Sequence, residues 1–336
     1  MDYVAERETA SLPRAGPTNH TLFESPEWLD AVAPAGWKCA TVEENGRIVA
    51  ALPYVIKSRA GLRVISVPPL TPWLGPWIVR QSGKYQTYLA REHLLLRRLI
   101  SQLPRADVAV IPAAPEHTNL LPFYWEGFDL RVCYTYRISL DRSLDAIWQS
   151  IKQRTRNAIR KTAAALVVTP SEDVDAVMRL IDATYRRQGR APPQLASTIG
   201  RILGSSPLKP HRELLLAQDQ AEQTHAFALL AYDSRHTFYV TGGADSALRS
   251  SGAQTYLLWR AIERSHGRSA VFDFEGSMKE EIERPFRAFG AVQTVQITAL
   301  AEPTVLGRLY RLFKPTTGFR DISRGSRAAD AAKASE

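Results

Sequence analysis

The chain has 336 residues, 45% hydrophobic and 23% charged, which is globular composition and enough for two domains of about 150 residues. Two cysteines, Cys39 and Cys133, exclude a disulfide framework and a four-cysteine zinc site, and no apolar run reaches the roughly 18 residues of a membrane span. With no apolar leader core at the start, the expectation is a reduced, soluble, cytoplasmic protein. The net charge of +9 is uneven. Residues 1–140 carry 15 basic and 13 acidic groups, whereas residues 141–336 carry 28 and 21, so the second half is the one expected to meet an anionic partner.

Up to Asn19 the chain is polar and reads as loose. Ser25-Pro26-Glu27 predicts a helix start, with Ser25 as N-cap and Pro26 in the first turn. Strands follow over 38–43 and 47–55, joined by the hairpin signal Asn45-Gly46, and a third runs over 62–67. After the Pro- and Trp-rich loop 68–77 come a helix over 85–103, a strand over 107–111, a short helix over 120–125 and a strand over 131–140. The second half opens with two helices: one over 143–166, and one from the apparent capping box Thr169-Pro170-Ser171-Glu172 to Gly189. A short helix over 194–203 precedes strands over 212–217, 225–232 and 236–241. Then come a helix over 252–265, a strand over 270–274, a helix over 279–289 and a strand over 292–300. Both halves thus read β-β-β-α-β-α-β, and in each a helix stops at a glycine, Gly127 or Gly290, before the last strand. The expected domains are 1–140 and 141–302. Residues 303–336 would form a basic amphipathic helix (Val305, Leu306, Leu309, Leu312, Phe313) and a loose tail.

Three motifs sit on this frame. Phe272-Asp273-Phe274-Glu275-Gly276-Ser277-Met278, followed by Ile282, Phe286 and Phe289-Gly290-Ala291, resembles the signature near the C-terminus of FemAB-like GNAT proteins. Residues 154–161 resemble their basic helix, and Thr71-Pro72-Trp73-Leu74-Gly75-Pro76 resembles a loop of their first domain. The resemblance covers residues 22–300. It implies a mixed α/β fold of two tandem GNAT-like domains and an acyl or aminoacyl transfer to an amine. The donor would be acyl-CoA or, as in Fem-type cell-envelope enzymes, aminoacyl-tRNA. The long charged helical hairpin of the Fem enzymes is absent from this sequence.

The residues fit that chemistry to different degrees. Arg249, Ser251, Gly252, Ala253 and Gln254 precede or open a helix and resemble the GNAT pyrophosphate loop, with Gln254 where a second small residue is usual; a plain glycine cap is the alternative. Lys152, Arg156 and Arg160 recur every four residues, and residues 150–161 hold five basic and no acidic groups, a stripe suited to phosphate or carboxylate. Asp273 and Glu275 share one face of a strand. Glu275 is the candidate general base and Asp273 its positioning group, unless Asp273 pairs with an arginine. Tyr239 could protonate the leaving group or be a strand aromatic. Trp73 and Trp77 could wall an acceptor pocket or be core, and Ser277 is a candidate substrate contact. Scattered histidines give no metal site, and no DNA-recognition motif occurs. The partners expected are an amine on a small molecule or envelope precursor and, in the second reading, tRNA, with peripheral membrane association open. A third reading is a GNAT-fold scaffold without activity.

Overall fold

The computed structural model describes residues 21–59, 61–80, 82–187, 195–245, 247–276 and 278–313. The expected loose ends, 1–19 and the tail after Phe313, lie outside them, as do Ser277 and the Gly189 helix end. The residues fall into two compact units. One runs to Val132 and takes in the segment from Gln296; the other is Cys133–Val295.

In the first unit, α1 (Pro26–Val32) is capped by Ser25, whose hydroxyl accepts from Trp28 N at 3.2 Å. Strands β1 (Lys38–Glu44) and β2 (Arg47–Arg59) are joined at Asn45 and Gly46, both with positive φ, the turn that matches strand twist. Next come β3 (Leu62–Ser66), β4 (Trp77–Ile78, on β2), α2 (Tyr85–Ser101), β5 (Val108–Pro112), α3 (Leu121–Trp125) and β6 (Asp129–Ser139). Leu95, Leu96 and Leu99 of α2 bury against Ala40, Leu52 and Ile65. Gly127, with φ 85°, lets Phe128 N reach back to Phe123 O and close α3 as expected.

The second unit begins within β6. The helix expected over 143–166 is two helices, α4 (Leu144–Ser150) and α5 (Gln153–Ala163). Ile151 and Lys152 are extended between them, and Lys152 N donates to Ala288 O at 2.9 Å. Ile147 before the break, Ile151 at it and Ile159 after it all join one core. The supposed capping box is also different. Thr169 and Pro170 lie in the edge strand β7 (Val167–Ser171), where a proline is tolerated, and Asp173 caps α6 (Val174–Arg187) by accepting from Ala176 N at 2.8 Å.

Then follow α7 (Leu195–Gly204), β8 (Arg212–Gln218), β9 (Thr224–Tyr232), β10 (His236–Ala244), α8 (Ala253–Ser265), β11 (Val271–Asp273), α9 (Glu280–Ala288), β12 (Val292–Ala301) and α10 (Val305–Phe313). The repeated order of elements holds, and in both repeats the strands flanking the first helix, β3 with β5 and β10 with β11, pair in parallel. The closing strands are exchanged. Arg137–Ser139 of β6 pair with β11, whereas Thr298–Ala301 of β12 pair with β5. The boundary by contact therefore falls at Val132/Cys133, inside a strand, rather than after Leu140. Strand order is β1-β2-β3-β5-β12 in the first unit and β6-β11-β10-β9-β8-β7 in the second. Among the described residues no helix is long and apolar enough to cross a membrane.

Candidate active site

Parallel pairing of β10 with β11 covers only His236–Phe238 against Val271–Asp273. Beyond Phe238, β10 continues on β9 alone, with a bulge at Val240 where the register shifts between Tyr239 and Thr241. A bulge twists its strand away and re-aims the side chains beside it. Tyr239 on one strand and the residues after Asp273 on the other therefore flank a gap in the sheet.

The segment leaving β11 is tightly built. The strand face expected to carry both Asp273 and Glu275 does not form: β11 ends at Asp273, and Glu275 lies beyond it in a turn with φ 53°, followed by Gly276 at φ 44°. A Cβ on Gly276 would overlap the Tyr134 carbonyl and the Thr135 backbone, so only glycine fits. A non-glycine residue in the left-handed region costs roughly 1–3 kcal/mol and persists where neighbours over-determine it. Here Asp273 supplies the restraint. Its Oδ1 accepts from Glu275 N at 2.7 Å and from Thr135 Oγ1 at 2.5 Å, and its Oδ2 accepts from Arg137 Nε at 2.6 Å. Phe274 N donates to Tyr136 O at 2.9 Å, and its ring stacks on Phe286 at 4.7 Å. Asp273 is fully buried and Glu275 nearly so. Asp273 is thus the arginine-paired carboxylate that the sequence offered as an alternative, and it also fixes the backbone that carries Glu275.

Tyr239 is half-buried, with its phenol above Gly242, where a Cβ would overlap the hydroxyl. The hydroxyl oxygen accepts from Gln254 Nε2 at 2.9 Å. Gln254 lies in the first turn of α8, so the residue that broke the expected small-residue pattern ties that helix to β10. Ahead of it, Ser251 closes a 3₁₀ turn with Arg249, whose side chain lies outside the described set. Gly252 follows with φ 71°, and its would-be Cβ falls 2.7 Å from Thr162 Oγ1. Thr162, on α5, donates to Ser251 O at 2.7 Å, and Ser251 Oγ accepts from Ala253 N at 3.3 Å. The glycine is required here by a left-handed turn and by close approach of α5.

The basic stripe divides. Arg156 donates to Trp148 O, Gln149 O and the Gln149 and Gln153 side chains, holding the α4–α5 corner. Arg160 lies over the Trp148 ring at 5.2 Å, and Lys152 is exposed. The stripe is largely occupied in shaping its own helices. Trp73 belongs to the first unit, buried edge-on to Phe23 with its indole donating to Thr21 Oγ1 at 3.1 Å, and Trp77 is buried as well. Both tryptophans are core. Asp273, Glu275 and Tyr239, with Gln254 behind the last, gather at the β10/β11 gap.

Sequence reasoning missed Thr135, Arg137, Thr162 and Gly242. Arg137 carried a signal: an arginine in the apolar run Tyr134–Ile138 needs a carboxylate.

Residues 149–279 match the family model described as an acetyltransferase (GNAT) domain, a span that holds β10, α8 and β11. The solved structure of FemX superposes with a TM-score of 0.62 at 13% identity, covering 88% of this chain and 94% of that one. This chain has a FemAB-like GNAT fold. The structure of L-PGS from Bacillus licheniformis superposes with a TM-score of 0.52 at 9% identity, covering 88% of this chain and 98% of that one. No curated protein sequence matches the chain. The GNAT fold supports acyl transfer in general.

Proposed function

We propose that the protein is an N-acyltransferase that moves an acyl group from a thioester or ester donor to an amine by direct attack. The observation that carries this reading is the gap between β10 and β11, flanked by Tyr239 and by the Asp273-held turn of Glu275. A donor carbonyl in the gap would meet the β10 backbone edge beyond Phe238, whose N–H groups polarise it. An amine attacks only when unprotonated. The Glu275 carboxylate takes its proton as the C–N bond forms, and the tetrahedral intermediate expels the thiolate or alkoxide. The Tyr239 O–H gives the leaving group its proton while the phenol oxygen keeps the Gln254 hydrogen bond. The loop Arg249, Ser251, Gly252, Ala253 and Gln254 would receive the phosphates of an acyl-CoA donor at the α8 N-terminus. Lys152 and Arg160 would meet an anionic substrate, and Ser277 is a candidate substrate contact.

A tRNA-borne aminoacyl donor is the second reading, favoured by the cation surplus of residues 141–336. The acceptor is an amine of a small molecule or cell-envelope precursor.

The test is a thermal-shift titration with acetyl-CoA, longer acyl-CoAs and desulfo-CoA. Saturation at 100 times Kd stabilises by about 2.7 kcal/mol. A saturable shift supports the CoA donor. With none, charged tRNA is titrated, and binding that weakens steeply with salt supports the second reading. With the donor in hand, Glu275→Gln lowers kcat by about 10²- to 10⁴-fold; an unchanged kcat removes the general base.

A further inference from the structure

Helix α10 is oriented against the usual rule for a helix in water. Thr304 caps it, accepting from Gly307 N at 3.0 Å and donating to Asp107 Oδ1 at 2.8 Å. Gly307 is buried, and a Cβ there would overlap the Asp107 carbonyl. The glycine edge thus faces its own unit, and this fixes what points away. Val305, Leu306 and Leu309 are 71%, 62% and 45% exposed. An amphipathic helix normally buries such a face. Arg308, exposed beside these side chains, donates to Glu302 O. From Pro303 to Arg327 the sequence holds six basic residues (Arg308, Arg311, Lys314, Arg320, Arg324, Arg327) and one acidic, Asp321.

We infer that α10 is a membrane-surface element that seats Val305, Leu306 and Leu309 among the acyl chains of an anionic bilayer. Arg308 lies at its phosphate headgroups. The chemistry selects this occupant. Apolar side chains flanked by arginine match the boundary between acyl chains and anionic headgroups, where each nearby cation adds attraction and the arginine stem can extend outward. A second copy would bring the same cations face to face. This adsorption is independent of the reaction at the β10/β11 gap.

The test is co-sedimentation of the full chain with vesicles of phosphatidylglycerol and phosphatidylcholine, against vesicles of phosphatidylcholine alone. The chain pellets with the anionic vesicles, is released by salt, and stays in solution with the neutral ones. The double variant Leu306→Asp/Leu309→Asp lowers partition at least ~10-fold, since it removes two exposed apolar anchors, with an unchanged circular dichroism spectrum and melting point. Arg308→Glu weakens binding to the anionic vesicles. A wild-type chain that does not pellet, or a double variant that pellets as well as wild type, overturns the proposal. So does sedimentation equilibrium showing a dimer that the double variant turns into a monomer, which assigns the face to a second copy.

Discussion

Replacing Asp273 by asparagine isolates the group on which the candidate site rests. The carboxylate is fully buried and accepts from the Thr135 hydroxyl, the Arg137 guanidinium and the Glu275 amide. Asparagine keeps the shape, and its carbonyl oxygen can still accept from Thr135 and Glu275. Its NH₂ group would then face Arg137 Nε, donor against donor, beside a largely buried cation without its counter-charge. Removing one partner of a buried ion pair costs about 3–5 kcal/mol, mostly because the other charge is stranded. Urea unfolding followed by circular dichroism should show that loss in Asp273→Asn at an unchanged m-value. Arg137→Met loses a comparable amount. The double variant recovers part of the sum, because no charge is left stranded, with a coupling of roughly 1–3 kcal/mol. A loss under about 1 kcal/mol in Asp273→Asn, or strict additivity in the cycle, would refute the buried pair.

Other outcomes follow from the same geometry. Gly276→Ala places a methyl against the Tyr134 carbonyl at a φ of 44°, so its unfolding free energy falls by about 2 kcal/mol or more; a loss of only a few tenths shows that the turn can open. Gln254→Leu removes the donor to the Tyr239 hydroxyl. The kcat then falls while KM for the amine stays constant, and an unchanged kcat ends the role of Tyr239 as acid. Lys57 donates to Val67 O at 2.8 Å, and burial pushes its ammonium from 10.5 down to about 8. Between those values the unfolded chain holds a proton that the native chain has lost, so stability rises with pH through that window, by at most about 3 kcal/mol. Lys57→Met is accordingly favoured over wild type at pH 7, and the difference closes toward pH 10.5 in paired urea titrations. A constant difference places the Lys57 amine in water.

The order of elements was legible before any coordinates. Asn45-Gly46 marked a hairpin because only a left-handed turn suits the twist of the strands, and Gly127 and Gly290 marked helix ends for the same local reason. Where the reading failed, a non-local contact had outweighed a local preference. Residues 143–166 have helical periodicity throughout, but the helix breaks at Ile151 and Lys152, where the Lys152 amide finds Ala288 O. Thr169-Pro170 reads as a cap until β8 supplies a strand to pair with.

The site divides along the same line. Asp273, Glu275 and Tyr239 could be named from one motif and one strand, but the strand face expected to carry both carboxylates fails, because β11 ends at Asp273 and Glu275 turns away with φ 53°. Arg137, Thr135 and Thr162 lie 89 or more residues from the atoms they hold, so no local pattern linked them. For Trp73 the sequence left pocket wall and core open, because aromatic character is visible in a sequence and burial is not; the structure buries it. The sequence by itself determined the two repeats, their turns and the signature strand, all matters of local backbone geometry and of hydrophobic period. Only the tertiary structure decided that the closing strands cross over, that the arginine stripe is engaged with its own helices and that α10 turns Leu306 and Leu309 outward. Each of these depends on which surface arrives opposite, and that is settled by packing between distant segments rather than by the segment itself.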